Sequence, residues 1–416
     1  MLYNFVMENR DKKKVLIVGA YACAYSLARK FAEQGAQVFV APGSDAMKEF
    51  ATVVDIRKDN ELLDFVLENA IDLTVVAGDS GKSDIATLFQ ENNQPVFCPT
   101  RYSSGICQSK VIGKKFMHRY NIPCPKFGVF EKASFAISYL ENSNYPVVIK
   151  TDHHQRKGVS VCNNIASAKT IVDNLFALGE KRVLIEDYIW GHEFSFYVIT
   201  DGYHAIPLGC VATYKYELEG NGGMLSSGMG AFSDNYRVSN RIKERIMQEI
   251  ITPALNALEK EQKPYSGILG ADLVIDDNEN LYTIEFNQFL KSPDAQVILE
   301  LLDDNIYNLF EACAIGSFAD DYDKIEMKDE NAIACVLCSG EKPVTIEGLE
   351  NLDENTKVSH FNTKKSEEGY KTGGGQTLVL TRRARVLSKA VRDLYDEISV
   401  INYDGKKYRR DIGTIL

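Results

Sequence analysis

Between residues 13 and 100 the apolar pattern changes period repeatedly, and that alternation restricts the fold more than any other feature of the chain. The runs KKVLIVG, QVFVA, DLTVVAG and PVFC read as short strands, and helical spacing fills 22–34, 60–69 and 85–91 between them. Parallel strands need a crossover of a dozen or more residues, and a helix laid on the sheet face supplies it. Strands that are apolar at nearly every position are buried on both faces. Residues 1–105 are therefore expected to form a doubly wound parallel α/β domain. Gly19 ends the first strand where such a sheet binds its ligand, and the next helix offers its N-terminus to a phosphate. The turn reads GAYACAY, without G-x-G-x-x-G, which argues against a nicotinamide or flavin dinucleotide.

A second constraint lies at 267–296, GILGADLVIDDNENLYTIEFNQFLKSPDAQ. Two apolar strands joined by a polar turn at 276–280 place Asp272, Glu285 and Asn287 near strand ends, and Glu285 and Asn287, two apart, share a face. Two acids and an amide oxygen suit a hard cation such as Mg²⁺, which takes oxygen ligands and completes its shell with water and phosphates. The competing account is an ordinary strand-end acid on an exposed face.

The intervening chain supplies candidates for an anionic partner. A helix carries Ser109 and Lys110 ahead of a Pro-marked loop at 121–125, and YPVVIK ends a buried strand at Lys150. A lysine closing an apolar strand either meets an anion or runs its ammonium out to water. The basic turn TDHHQRKG (151–158), with Lys157, has the composition to close over a polyphosphate. After a helix at 164–178, the strand VLIEDYI (183–189) carries Glu186, Asp187 and Ile189. Acids and backbone there suit a base edge and ribose hydroxyls, and Tyr188, Ile189 and Trp190 suit the base faces, unless the segment is only a strand–turn corner. EFSFYVIT (193–200) alternates as a half-buried strand. KYELEGNGGMLSSGMGAF (215–232) reads as a mobile Gly/Ser-rich loop able to hold an anion, ahead of a helix at 239–262. The charged run DDYDKIEMKDEN marks a boundary near 325. Beyond it, AIACVLC, KVSHFNT and QTLVLTR with a helix at 383–398 predict a small α+β domain over 326–416.

Composition sets limits on partners. A net charge of −11 and a pI near 5.2 argue against nucleic acid or an anionic membrane surface. The N-terminus is too polar for a signal peptide, and no apolar run reaches eighteen residues, so a cytoplasmic protein, monomer or homodimer, is expected. Nine scattered cysteines read as reduced core thiols, and the Cys335/Cys338 pair lacks neighbouring ligands for a metal.

Taken in order, SKVIGKKFMHRYNIPCP, YPVVIK, KGV at 157–159, VLIEDYIWGHEFSF, SGMGAF, GILGADLV with YTIEFN, and YRRDIG at 408–413 resemble the ATP-grasp superfamily, and within it the phosphoribosylamine–glycine ligase family. The resemblance runs over nearly the full length. It implies a central ATP-grasp domain over 106–325 with a lid at about 125–190, and use of ATP with Mg²⁺ or Mn²⁺. Lys110, Lys150 and Lys157 are then expected at the phosphates, Glu186, Asp187 and Ile189 at the adenine, and Glu193 at the ribose. Glu285 and Asn287 match the metal ligands; Asp272 matches a metal-binding acid of the wider superfamily. Lys215 matches a substrate-side lysine.

The implied reaction joins glycine to phosphoribosylamine through an acyl phosphate. The chain departs from the family on the substrate side. G-G-R-E-H-A becomes Tyr21-Ala22-Cys23-Ala24-Tyr25-Ser26, P-E-A-P-L becomes Gly78-Asp79-Ser80-Gly81-Lys82, and Q-D-H-K-R becomes Ala212-Thr213-Tyr214-Lys215-Tyr216. N-A-R-F-G-D-P-E becomes Asn287-Gln288-Phe289-Leu290-Lys291-Ser292-Pro293-Asp294, losing an arginine for which Lys291 is the nearest replacement. A ligase for another carboxylate and amine, or a nucleotide-binding paralogue with little activity, are the alternatives.

Overall fold

The structure, a computed structural model, describes residues 12–78, 83–152 and 158–414. Strands β1 (Lys14–Gly19), β2 (Gln37–Pro42), β3 (Thr52–Val53), β4 (Leu73–Val76) and β5 (Val96–Phe97) form a parallel sheet in the order β3-β2-β1-β4-β5. Both faces are covered, as the unbroken apolar runs require. Val15, Ile17, Val38 and Val40 pack with Leu27, Ala28 and Phe31 of helix Ala22–Glu33. The intervening Leu16, Phe39 and Ala41 meet Leu62, Leu63, Val66 and Phe89. Each large apolar side chain among them, fully buried, contributes roughly 1.5–3 kcal/mol.

A four-stranded antiparallel sheet follows, ordered β6-β9-β7-β8, from β6 (Phe127–Phe130), β7 (Val147–Thr151), β8 (Val159–Cys162) and β9 (Val183–Asp187). Helices Ala133–Leu140 and Ile165–Ala177 close one face through Ala136, Leu140, Ala168 and Val172 against Val147, Ile149, Val183 and Ile185.

The largest sheet comprises β10 (His192–Asp201), β11 (Ala205–Leu218), β12 (Gly222–Ser233), β13 (Ser266–Ile275), β14 (Leu281–Asn287), β15 (Asn331–Ser339), β16 (Lys357–His360) and β19 (Gly375–Ala384), with β17 (Thr363–Ser366) and β18 (Gly369–Thr372) as a separate hairpin. Its order is β14-β13-β10-β11-β12-β15-β19-β16. Two expectations change here. The Gly/Ser-rich stretch 215–232 is a hairpin: β11 pairs with β12 through Ala212 opposite Phe232 and Tyr214 opposite Gly230, and the outer edge of β12 is taken by β15. Long-range pairing on both sides outweighs the low strand propensity of Gly and Ser. The last helix is Leu387–Val400, starting later than expected because Arg383 is still paired in β19, opposite Ala332.

The predicted helix at 239–262 runs as Asn240–Ile246, a π turn Met247–Ile251 and Thr252–Lys260. Pro253 lacks an N–H, and the widened turn precedes it. The helix buries Ile242, Ile246, Ile250 and Leu258 with Phe194, Phe196, Val198 and Leu273 of the large sheet. Among the described residues no helix is long and apolar enough to cross a membrane, and the nine cysteines are all free.

Candidate active site

Lys150 near the end of β7 and Lys110 at the start of helix Lys110–Arg119 are tied together by one buried acid. Asp152 Oδ1 accepts from the Ser109 hydroxyl at 2.6 Å and the Val111 N–H at 3.0 Å, and its carbonyl accepts the Lys110 N–H at 3.0 Å. Ser109 also caps the helix, its Oγ accepting from the Ile112 N–H at 3.1 Å. Arg182 Nη2 donates to the other Asp152 oxygen at 2.5 Å. The backbone positions of both lysines are thereby coupled.

The Lys150 ammonium does not reach water: it is buried and donates to Glu186 Oε2 on β9 at 3.0 Å. Lys114, one turn beyond Lys110, lies 3.6 Å from the same oxygen and donates to the Thr283 carbonyl at 3.0 Å. Burial lowers the Lys114 pKa, against the opposing pull of Glu186. Glu186 Oε1 is buried and has no hydrogen-bond partner among the described residues.

Across the cavity, β13 and β14 bring Asp272 opposite Glu285 and Gly270 opposite Asn287. Gly270 is required by close approach, since a Cβ there would stand 2.6 Å from the Tyr197 ring. Glu285 Oε2 meets Lys110 Nζ at 3.2 Å. Asn287 Nδ2 donates to Asp272 Oδ1 at 3.0 Å. Lys291 Nζ donates to both Asp272 oxygens at 3.1 and 2.9 Å, and Lys215 bridges Asp272, at 3.3 Å, and Glu193. Burial pushes the Asp272 pKa up, but the two ammonium groups outweigh it and hold the carboxyl below its usual value. Lys215 is half-buried, which pulls its pKa down, yet Asp272 and Glu193 hold it well above the ordinary lysine value.

These groups line one cavity of about 1010 Å³. Lys110, Lys150, Glu186, Asp187, Ile189 and Glu193 border it, as do Lys215, Asp272, Glu285, Asn287 and Lys291. Lys157 lies outside the described residues. Val148, Val159, Val161 and Ile284 add apolar walls. Residues of the N-terminal turn, Tyr21 and Cys23, and Phe361 from the C-terminal part also line it, with the Tyr21 and Phe361 rings 5.8 Å apart. Among the described residues no cluster of three His, Cys, Asp or Glu forms a metal site.

Sequence reasoning missed Asp152, Lys114 and Asp294. Asp294 accepts from Tyr197 Oη at 2.8 Å and Thr213 Oγ1 at 2.7 Å, and burial raises its pKa. Only Lys114 left a readable signal: it follows Lys110 by four residues and so shares its helix face.

A four-stranded antiparallel sheet and the end of a larger sheet, enclosing a cavity lined by four lysines that are each paired with an acid, are the arrangement of an ATP-grasp protein. Three family profiles match in order: phosphoribosylglycinamide synthetase N domain over 13–106, its ATP-grasp (A) domain over 108–295 and its C domain over 338–415. Phosphoribosylamine–glycine ligases of Halalkalibacterium halodurans and Clostridium acetobutylicum are 33% and 32% identical, covering 96% of this chain and 96% and 99% of theirs. The crystal structure of the Thermotoga maritima phosphoribosylamine–glycine ligase superposes with a TM-score of 0.84 at 25% identity, over 96% of this chain and 99% of that one. A biotin carboxylase of Campylobacter jejuni shares the fold, with a TM-score of 0.74 at 17% identity over 96% and 94% of the two chains. The chain belongs to the phosphoribosylamine–glycine ligase family. The ATP-grasp fold brings with it the use of ATP and a divalent metal.

Proposed function

We propose that this chain is an ATP-dependent carboxylate–amine ligase that joins glycine to 5-phosphoribosylamine, giving glycinamide ribonucleotide, ADP and phosphate in purine synthesis. The observation that carries the reading is the continuity of the cavity. One space of about 1010 Å³ is bordered by Glu186 of β9, four lysines and residues of the N- and C-terminal parts.

A glycine carboxylate oxygen attacks the γ-phosphorus and ADP leaves. The phosphoribosylamine nitrogen then attacks the acyl carbon, and phosphate leaves with the pair of electrons from the broken C–O bond and takes up the proton that the nitrogen sheds. The chain supplies no nucleophile. Lys110 and Lys150 hold phosphate oxygens, Glu193 takes ribose hydroxyls, and Glu186 Oε1, a buried acceptor lacking a donor, fits the amino group of adenine. Asp187 and Ile189 line the adenine end. Lys215 and Lys291 face the charge that develops as the phosphoryl group moves, where fixed cations in a dry site are most effective. Hard oxygen donors at Glu285 and Asn287 fit Mg²⁺ or Mn²⁺, which when bound neutralises phosphate charge. The lid sheet excludes water, protecting the acyl phosphate from hydrolysis.

The aromatic pair Tyr21 and Phe361 favours a second reading, a ligase for a different carboxylate and amine. The deciding experiment is metal-dependent ADP release with glycine and freshly generated phosphoribosylamine, added singly and together. Release that needs both establishes the first reading. Nucleotide binding without release under any of these conditions overturns the first reading and leaves a different substrate pair or a nucleotide-binding paralogue.

A further inference from the structure

Asp272 is 2% exposed, and its carboxylate is shared by four donor groups on four segments. Oδ1 accepts from Ser195 Oγ on β10 at 2.8 Å, Asn287 Nδ2 on β14 at 3.0 Å and Lys291 Nζ at 3.1 Å. Oδ2 accepts from Lys291 Nζ at 2.9 Å and Lys215 Nζ on β11 at 3.3 Å. A carboxylate offers about four lone-pair sites, so these contacts use its capacity. A cation bound there would have to displace two ammonium groups. Asn287 differs: its nitrogen is given to Asp272, which leaves its oxygen as the atom able to coordinate.

Lysine is a flexible point charge, and a lysine that must sit at one place needs a fixed anion beneath it. Lys291 and Lys215 come from different segments, and although Lys215 also meets Glu193, Asp272 is the acid that both contact among the described residues. Resting on the ligase reading above, we propose that Asp272 is a positioning residue: it fixes Lys215 and Lys291 at the phosphoryl-transfer end of the cavity and orients the Asn287 amide, and is not itself a ligand of the divalent cation. Partners of this kind orient the groups that touch a metal or substrate without touching either.

The test compares the wild type with Asp272→Asn, Lys291→Met and the double variant, each checked for an unchanged circular dichroism spectrum. Two binding readouts are taken on the full chain: Mn²⁺ affinity of the ADP complex by electron paramagnetic resonance, and the preference for AMP-PNP over ADP by calorimetry. Neither needs glycine or phosphoribosylamine, so both stay readable if the ligase reading itself fails. In the Asp272→Asn variant the new amide oxygen would still accept from Asn287, so Mn²⁺ affinity should stay within about threefold of the wild type. The AMP-PNP preference should fall about tenfold in each single variant, and in the double by clearly less than the product of the two. A tenfold or greater loss of Mn²⁺ affinity confined to variants lacking Asp272, multiplying losses in the double, or no AMP-PNP preference in the wild type would overturn the proposal. Lys291→Arg leaves the buried acid in place and keeps it paired. It should retain the preference that Lys291→Met loses, and loss in both would also count against it.

Discussion

Replacing Lys150 by methionine separates what this lysine does for the fold from what it does for a nucleotide. In the structure its ammonium pairs with a Glu186 carboxylate that is 1% exposed. Removing one member of a buried pair typically costs about 3–5 kcal/mol, because the other charge is left without compensation. Here Lys114, 3.6 Å from the same oxygen, offsets part of that loss, so about 2–3 kcal/mol is expected in guanidinium unfolding. Adding Glu186→Gln removes the stranded charge and should restore most of the stability. ATP binding should behave differently. Loss of one charge-assisted contact to a phosphate is about 1.5–3 kcal/mol, or roughly ten- to a hundredfold in Kd, and the second substitution returns none of it. The reasoning fails if the double variant is no more stable than Lys150→Met, or if its affinity for ATP by calorimetry equals that of the wild type.

Three further outcomes are expected. Glu285→Ala should abolish metal-dependent ATP turnover while leaving the circular dichroism spectrum intact; full activity in the folded variant would remove Glu285 from the metal. Gly270→Ala drives a methyl group against the Tyr197 ring, and overpacking there should lower stability by about 1–3 kcal/mol in urea titration. Burial lowers the His360 pKa from 6.5 to about 4, so the folded state stays neutral while the unfolded chain takes up a proton below pH 6.5. Stability from this group is complete above that pH and declines by up to about 3 kcal/mol as pH falls to 4. His360→Gln should flatten that part of the stability–pH curve, and an unchanged slope would contradict the assignment.

What was legible in the sequence follows from the range of the interactions concerned. The N-terminal sheet declared itself because β1, β2 and β4 are apolar at successive positions, a pattern that burial on both faces produces locally. Asp272, Glu285 and Asn287 could be placed on two paired strands because a short polar turn joins those strands and fixes which residues stand opposite. The stretch 215–232 was misread because its glycines and serines favour a loop, whereas pairing with β11 along the hairpin and with β15, a hundred residues away, makes it strand. Asp152 and Asp294 left no signal for the same reason. Asp152 is held by Ser109, Val111 and Arg182, and Asp294 by Tyr197 and Thr213. Nothing in the local residue pattern marks partners so far apart.

The pairing of every described lysine in the site with an acid has an energetic consequence for ligand binding. Lys110 lies against Glu285, Lys150 against Glu186, Lys215 against Glu193 and Asp272, and Lys291 against Asp272. Four ammonium groups in one partly buried cavity would repel one another and lose hydration if left alone, and such lysines shed their protons. The acids hold the four ammonium groups in place before any phosphate arrives, and Asp272 keeps Lys215 and Lys291 above the ordinary lysine value. A polyphosphate therefore meets cations already oriented, which lowers the ordering cost of binding, but it must compete with carboxylates for them, which limits affinity. The pairs differ in how easily they yield. Glu285 is partly exposed and can leave Lys110 for a cation, whereas Asp272 and Glu186 are enclosed and cannot follow a ligand. Exchange of partners should therefore concentrate at Lys110 and Glu285, leaving the other pairs as the fixed frame against which the transferred phosphoryl group is held.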